Sequence, residues 1–110
     1  MMDKRVYELH AEVCKTMSNP KRLEIINLLR DGEKSVEELT SDMRIRKANL
    51  SQHLAVMRAK KIVETRRDGL KIYYKIANPK VVKACDIMRE VLMEQLAGSQ
   101  ELIAKIKRTS

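Results

Sequence analysis

Apolar residues recur at helical spacing along most of this chain, and the period changes once. Val6, Leu9, Val13 and Met17 share one stripe with charges between them, which predicts an amphipathic first helix over residues 3–17. Ser18-Asn19-Pro20 ends it and opens the next. Asn19 can cap, and Pro20 suits the first helical position, where a missing N–H costs nothing. The second helix is expected to bury Leu23, Ile26 and Leu29 and to end at Asp31-Gly32, with the glycine at C′. Ser35-Val36-Glu37-Glu38 reads as a capping box, and Val36, Leu39 and Met43 form the apolar face of the third helix it opens. Residues 44–46 form a turn. A fourth helix then runs from about Lys47 to Lys60, with Leu50, Leu54 and Met57 inward. Its other face carries Lys47, Asn49, Ser51, Gln52, His53 and Arg58.

After Lys61 the pattern becomes that of strands. Residues 62–67 and 71–76 flank Asp68-Gly69, a strong hairpin turn signal. Asn78-Pro79 repeats the cap-and-proline device and launches a fifth helix, with Val81 or Val82, Cys85, Met88, Leu92 and Leu96 on its stripe. Gly98-Ser99 breaks it, and Ser99 can cap a last helical piece carrying Leu102, Ile103 and Ile106. No internal repeat, low-complexity segment or linker interrupts the series. The fold class expected is mainly α with a small β-hairpin wing, in the order α-α-α-α-β-β-α. That is the order of a winged helix-turn-helix.

Size and composition bound the rest. A chain of 110 residues is expected to form one small domain, 1–110, with the helix-turn-helix at 35–60 and the wing at 62–76. Apolar residues make up 44%, but Phe and Trp are absent, so the core must be aliphatic, and so small a core invites a partner subunit. No apolar run approaches the roughly 18 residues of a membrane span, and the start lacks a signal-peptide core, so a cytoplasmic protein is expected.

Charge adds a direction. Residues 44–75 hold ten basic and two acidic side chains, a net +8 that equals the net charge of the whole chain. Such a lopsided surface on a helix-turn-helix is the footprint of a protein that docks on phosphates. Single-strand binders stack bases on aromatic rings, and only Tyr73 and Tyr74 lie near this region, so duplex DNA is the expected partner. A major groove about 12 Å wide admits one helix, read by its N-terminal residues. The candidates there are Lys47, Asn49, Ser51 and Gln52. Asn and Gln pair bidentately with adenine, and Lys reaches guanine. Arg46 in the turn is placed for a phosphate, as is His53. Arg66, Arg67 and Lys71 bracket the wing tip, within reach of the backbone or the minor groove.

Asn19-Pro20-Lys21-Arg22-Leu23, Ser51-Gln52-His53-Leu54 with Met57-Arg58, and Arg66-Arg67-Asp68-Gly69 with Tyr73-Tyr74 resemble the ArsR/SmtB family of bacterial and archaeal repressors. The resemblance runs over about residues 6–96 without a gap. It implies a homodimer, joined through helices in 1–17 and 79–108, that represses genes from a palindromic operator and is released by a small inducer or by thiol modification. It further implies a stress or sulfur/metalloid-related operon. The family's thiolate metal motif would fall on Ser35 and Glu37, and its carboxylate–histidine site on Asn78, Lys80, Val91 and Glu94. Neither set offers the thiolates or imidazoles that zinc or arsenite need, so no metal and no cofactor is expected. The serine that usually caps the recognition helix is Arg46 here, which leaves that helix start less well capped. The pattern is closest to members that do not sense metals.

Cys14 and Cys85 are too few for a disulfide scaffold. Each reads first as a small buried hydrophobe. The functional alternative is a thiol switch between the first and last helices. Related thiol-sensing regulators carry one of their cysteines at the position of Asn27. Enzyme chemistry is not expected, since no nucleophile–base pair, Gly-rich phosphate loop or carboxylate pair is recognisable. The rival reading is a winged-helix module that binds a protein.

Overall fold

The computed structural model describes residues 2–109; the side chains of Ile103 and Thr109 lie outside that description, as do Met1 and Ser110. The elements are α1 (Lys4–Met17), α2 (Pro20–Leu28), β1 (Lys34–Ser35), α3 (Val36–Met43), α4 (Lys47–Ala59), β2 (Val63–Asp68), β3 (Lys71–Ile76), α5 (Lys80–Leu96) and α6 (Gln100–Thr109). The architecture is mainly helical with a small antiparallel sheet as its wing.

Local chemistry sets most of the helix starts. Asp3 caps α1 by accepting from the Arg5 N–H at 2.8 Å. Asn19 Oδ1 caps α2, accepting from the N–H groups of Lys21 (2.9 Å) and Arg22 (3.3 Å), with Pro20 at the first helical position. The capping box at α3 is complete: the Glu38 N–H donates to Ser35 Oγ at 3.1 Å, and the Ser35 N–H donates to Glu38 Oε1 at 3.2 Å. Asn78 Oδ1 accepts from the Lys80 N–H at 3.0 Å beside Pro79 at the head of α5. By contrast, no side chain caps α4, as expected from Arg46 at that position.

The end of α4 aims the wing. The Ile62 N–H donates to the Met57 carbonyl (2.9 Å) and the Lys61 N–H to the Arg58 carbonyl (3.0 Å). That is the Schellman pattern, and it holds Lys61 at φ +61 in the left-handed region. Ile62 and Val63 turn into the core, and β2 packs against α4. Strands β2 and β3 pair from Val63↔Ile76 to Asp68↔Lys71. The two central turn residues are therefore Gly69 and Leu70, one step later than the Asp68-Gly69 expectation. Only Gly69, at φ +63, takes a positive φ there, as a II′ turn requires of its first central residue.

Three expectations need correction. The wing sheet has a third strand: β1 pairs with β3 (Lys34↔Tyr74, Ser35↔Tyr73), giving the order β1-β3-β2. Two residues ending on a helix cap carry no period-2 signal, so the pattern hid it. Helix α2 stops at Leu28, and Gly32 is not at its C′ position. Gly32 sits further on in the turn at φ +146, its N–H donating to the Leu29 carbonyl at 3.3 Å. Leu23 is not in the core. Ile25, Ile26 and Leu29 are almost fully buried and define the inner face of α2, whereas Leu23 lies off that face and is 37% exposed.

The core closes around these three residues, Leu39 of α3, Leu50, Leu54 and Met57 of α4, and Ile62 and Val63. Helix α5 rests on it only through Val81, Val82 and Cys85, and none of its residues is buried. Further along, Ile87, Met88, Val91, Leu92 and Met93 face solvent, as do Val6 and Leu9 of α1. No helix among the described residues is long and apolar enough to cross a membrane.

Candidate nucleic-acid interface

Helix α4 buries one face and shows the other. With Leu50, Leu54 and Met57 inside, the 100° step per residue puts Gln52 at the centre of the outer face, with Asn49 toward its start. Arg46, Lys47, Asn49, Ser51 and Gln52 are all exposed. Ala48, Ala55 and Val56 lie on the same outer face, exposed. Pattern reading passed over them, although a helical wheel drawn from the core triad would have found them. Small side chains let the helix backbone approach a groove floor closely, and apolar ones meet thymine methyl groups.

The free N-terminus of α4 contributes as well. Its first N–H groups lack a side-chain acceptor, and Arg46 and Lys47 stand beside them. Unpaired N–H groups, the helix dipole and two cations together favour an anion there.

His53 differs from its expected outward position. It is half-buried, and its Nδ1 accepts from Arg22 Nε of α2 at 3.2 Å. Arg22 also donates to the Thr16 carbonyl at the end of α1 at 3.0 Å. Burial first, then the charges of Arg22 and Lys21, hold the imidazole below its ordinary pKa. The neutral ring thus carries its proton on Nε2 and serves as a joint between α1, α2 and α4.

The wing divides its cations. Arg66 is engaged: its Nη2 and Nε meet the Glu33 carboxylate at 2.6 and 3.1 Å, Asp68 lies at 3.8 Å, and its guanidinium stacks 4.6 Å from the Tyr73 ring centroid. Glu33 is held below the usual carboxylate range, chiefly by that hydrogen bond. Lys60 pairs with Glu12 and Lys75 with Glu64. Among the described residues, Arg44, Arg46, Lys47, Arg58, Lys61, Arg67 and Lys71 are exposed with no acidic partner, so seven of the ten cations in 44–75 remain available. Glu33 and Glu12 lie outside the 44–75 window, which is why the sequence did not reveal them as partners.

The two cysteines are both free and are not joined to each other by a disulfide. Cys14 is exposed on α1, and Cys85 is half-buried on α5 against the core. Burial pushes the Cys85 thiol above its ordinary pKa, which disfavours its thiolate. Among the described residues no cluster of three or more His, Cys, Asp or Glu side chains is placed to hold a metal ion.

A helix-turn-helix with an exposed recognition face and a cationic wing is the architecture of a DNA-binding transcriptional regulator. Residues 19–65 match the family described as bacterial regulatory protein, arsR family. The uncharacterized HTH-type transcriptional regulator Rv0081 of Mycobacterium tuberculosis (strain H37Rv) is 39% identical over 108 residues, covering 97% of this chain and 95% of its own. Its crystal structure superposes with a TM-score of 0.77 over 84% of this chain and 94% of that one. The biofilm growth-associated repressor of Agrobacterium fabrum is 39% identical over 87 residues, 79% of this chain and 74% of that protein. The solution structure of the homodimeric winged helix-turn-helix DNA-binding domain Mb0332 of Mycobacterium bovis is 28% identical, with a TM-score of 0.78 over 91% of this chain and 94% of that one. The chain belongs to the ArsR family and is a transcriptional regulator.

Proposed function

We propose that this chain is a homodimeric, cytoplasmic repressor that binds a palindromic operator and lets go when a small inducer or a thiol modification acts on it. It works as one domain, 1–110, with dimer helices in 1–17 and 79–108, the helix-turn-helix at 35–60 and the wing at 62–76. The observation that carries this reading is the outer face of α4. Asn49 and Gln52 are exposed there among small residues, flanked by cations that have no acidic partner among the described residues.

Two further features support the parts of the proposal. The apolar side chains exposed on α1 and along the outer half of α5 are what a second copy would cover. Two copies of α4 related by a two-fold axis then read half-sites about one DNA turn apart. Within one protomer Cys14 is the more exposed of the two thiols and lies on a dimer helix, so a thiol modification there would act on the dimer first. Arg22 and His53 join the end of α1 to the recognition helix, giving such a change a route to DNA. Asn49, Ser51 and Gln52 read bases in this scheme, Arg46, Lys47, Arg67 and Lys71 meet phosphates, and His53 and Arg66 act mainly as supports.

The test begins with selection of duplexes from a randomised pool by the wild-type protein. An enriched inverted repeat, with half-sites one turn apart, is the expected result. On that duplex Gln52→Ala is expected to cost on the order of 1–3 kcal/mol and to relax preference at one position per half-site. Equal weakening on every sequence would mean that Gln52 reads no base. Failure to bind any duplex at low salt would leave the protein-binding module as the better account.

A further inference from the structure

The tip of the wing carries a residue that its turn does not ask for. In a II′ turn the first central position requires glycine, here Gly69, and the second is ordinarily filled by a small polar residue. This chain places Leu70 there, and Leu70 is the most exposed large apolar side chain described, at 103% relative exposure. A leucine in water at a hairpin tip contributes nothing to the fold, because it touches nothing.

Its surroundings say what it can meet. Asp68 and Lys71 flank the turn as cross-strand partners, and Arg67 stands one residue further back on β2. Arg67 and Lys71 are exposed and without acidic partners among the described residues, while the Asp68 carboxylate lies 3.8 Å from Arg66. Arg66, the other wing arginine, is drawn back onto Glu33 and Tyr73 and away from the tip. The tip therefore presents one apolar side chain with two available cations, Lys71 and Arg67, close behind it and one carboxylate, Asp68, that is shared with Arg66. The base of the wing is braced: β3 pairs with β1 at Tyr73 and Tyr74 as well as with β2, and the Glu33–Arg66–Tyr73 cluster ties β2 to the loop before β1, while the last pairs before the tip join β2 and β3. A hairpin closed by two residues ends in a tip whose projecting side chain can reach into a minor groove about 6 Å wide. Cations that hold phosphate walls on both sides of an inserted apolar side chain are the arrangement by which minor-groove proteins part a base step.

We propose that Leu70 is a minor-groove wedge: with Arg67 and Lys71 on the flanking phosphates, it enters between two base pairs, partly unstacks them and bends the duplex. This rests on the DNA-binding reading above. Flexible pyrimidine–purine steps, which unstack at the least expense, would then be preferred where the wing lands, outside the positions read by α4.

The experiment uses the full chain and the duplex that the wild-type protein enriches from a randomised pool. A fluorescent adenine analogue that brightens on unstacking is placed in turn at each step flanking the α4 half-sites. Wild type and Leu70→Met, which keeps an apolar wedge, are expected to brighten one flanking step per half-site. Leu70→Ala is expected to lose the signal and bind on the order of ten-fold more weakly, with its melting temperature unchanged because the side chain has no contacts to lose. Wild-type brightening retained in Leu70→Ala, or no brightening with wild type bound, overturns the wedge while leaving DNA binding intact. No enriched duplex at all overturns the DNA-binding reading itself, and the wedge with it.

Discussion

Arg66 and Arg67 are neighbours in sequence, and the structure assigns them opposite electrostatic roles. Arg67 has no acidic partner among the described residues, whereas Arg66 is held by Glu33 at 2.6 Å. The perturbation is a pair of single substitutions, Arg67→Gln and Arg66→Gln, which remove the charge and keep much of the length. Each phosphate neutralised on B-DNA contributes about −0.9 to the slope of log affinity against log salt. A dimer losing Arg67 loses two such contacts, so its slope becomes shallower by about 1.8. Between about 50 and about 200 mM salt this amounts to roughly twelve-fold less salt-induced weakening than wild type shows. Arg66→Gln is expected to leave the slope nearly unchanged, because its charge is already balanced by Glu33, and to lower the melting temperature slightly by freeing the wing. Fluorescence polarisation on the enriched duplex at several salt concentrations measures both. Equal flattening by the two variants would refute the assignment, since Glu33 would then be releasing Arg66 to a phosphate on binding. An unchanged slope for Arg67→Gln would remove the wing from the interface.

Two further outcomes follow from the backbone and from the His53 joint. Lys61 sits at φ +61, where an L side chain is strained and glycine is not, so Lys61→Gly is expected to stabilise the fold by about 0.5–1 kcal/mol net of glycine's entropy. A urea midpoint that falls at constant slope would contradict the Schellman geometry at the end of α4. His53 has its folded-state pKa lowered, so the folded protein binds its proton less readily than the unfolded chain does. Its contribution is complete above about pH 6.5 and is lost as the pH falls through the depressed value. Melting temperatures measured from about pH 7 to about pH 5 are expected to fall more for wild type than for His53→Gln, and parallel curves would show that the joint does not titrate.

The order of elements was legible in the chain because each is announced by short-range chemistry. Asn19-Pro20, Ser35 with Glu38, and Asn78-Pro79 act within one helical turn of themselves, and the stripe Leu50–Leu54–Met57 needs only the pitch of a helix. The charge excess in 44–75 was legible for the same reason, since counting needs no geometry. What only the folded chain decided are pairings between distant residues. Glu33 reaches Arg66 across 33 residues, Arg22 reaches His53 across 31, and two residues at Lys34–Ser35 become a strand because β3 lies alongside them. Those contacts sort the cations into engaged and available ones, turn His53 inward, and leave Leu70 alone at the tip. Periodicity reports which face of an element is apolar; it carries no record of which acid, ring or strand edge another segment will bring to it.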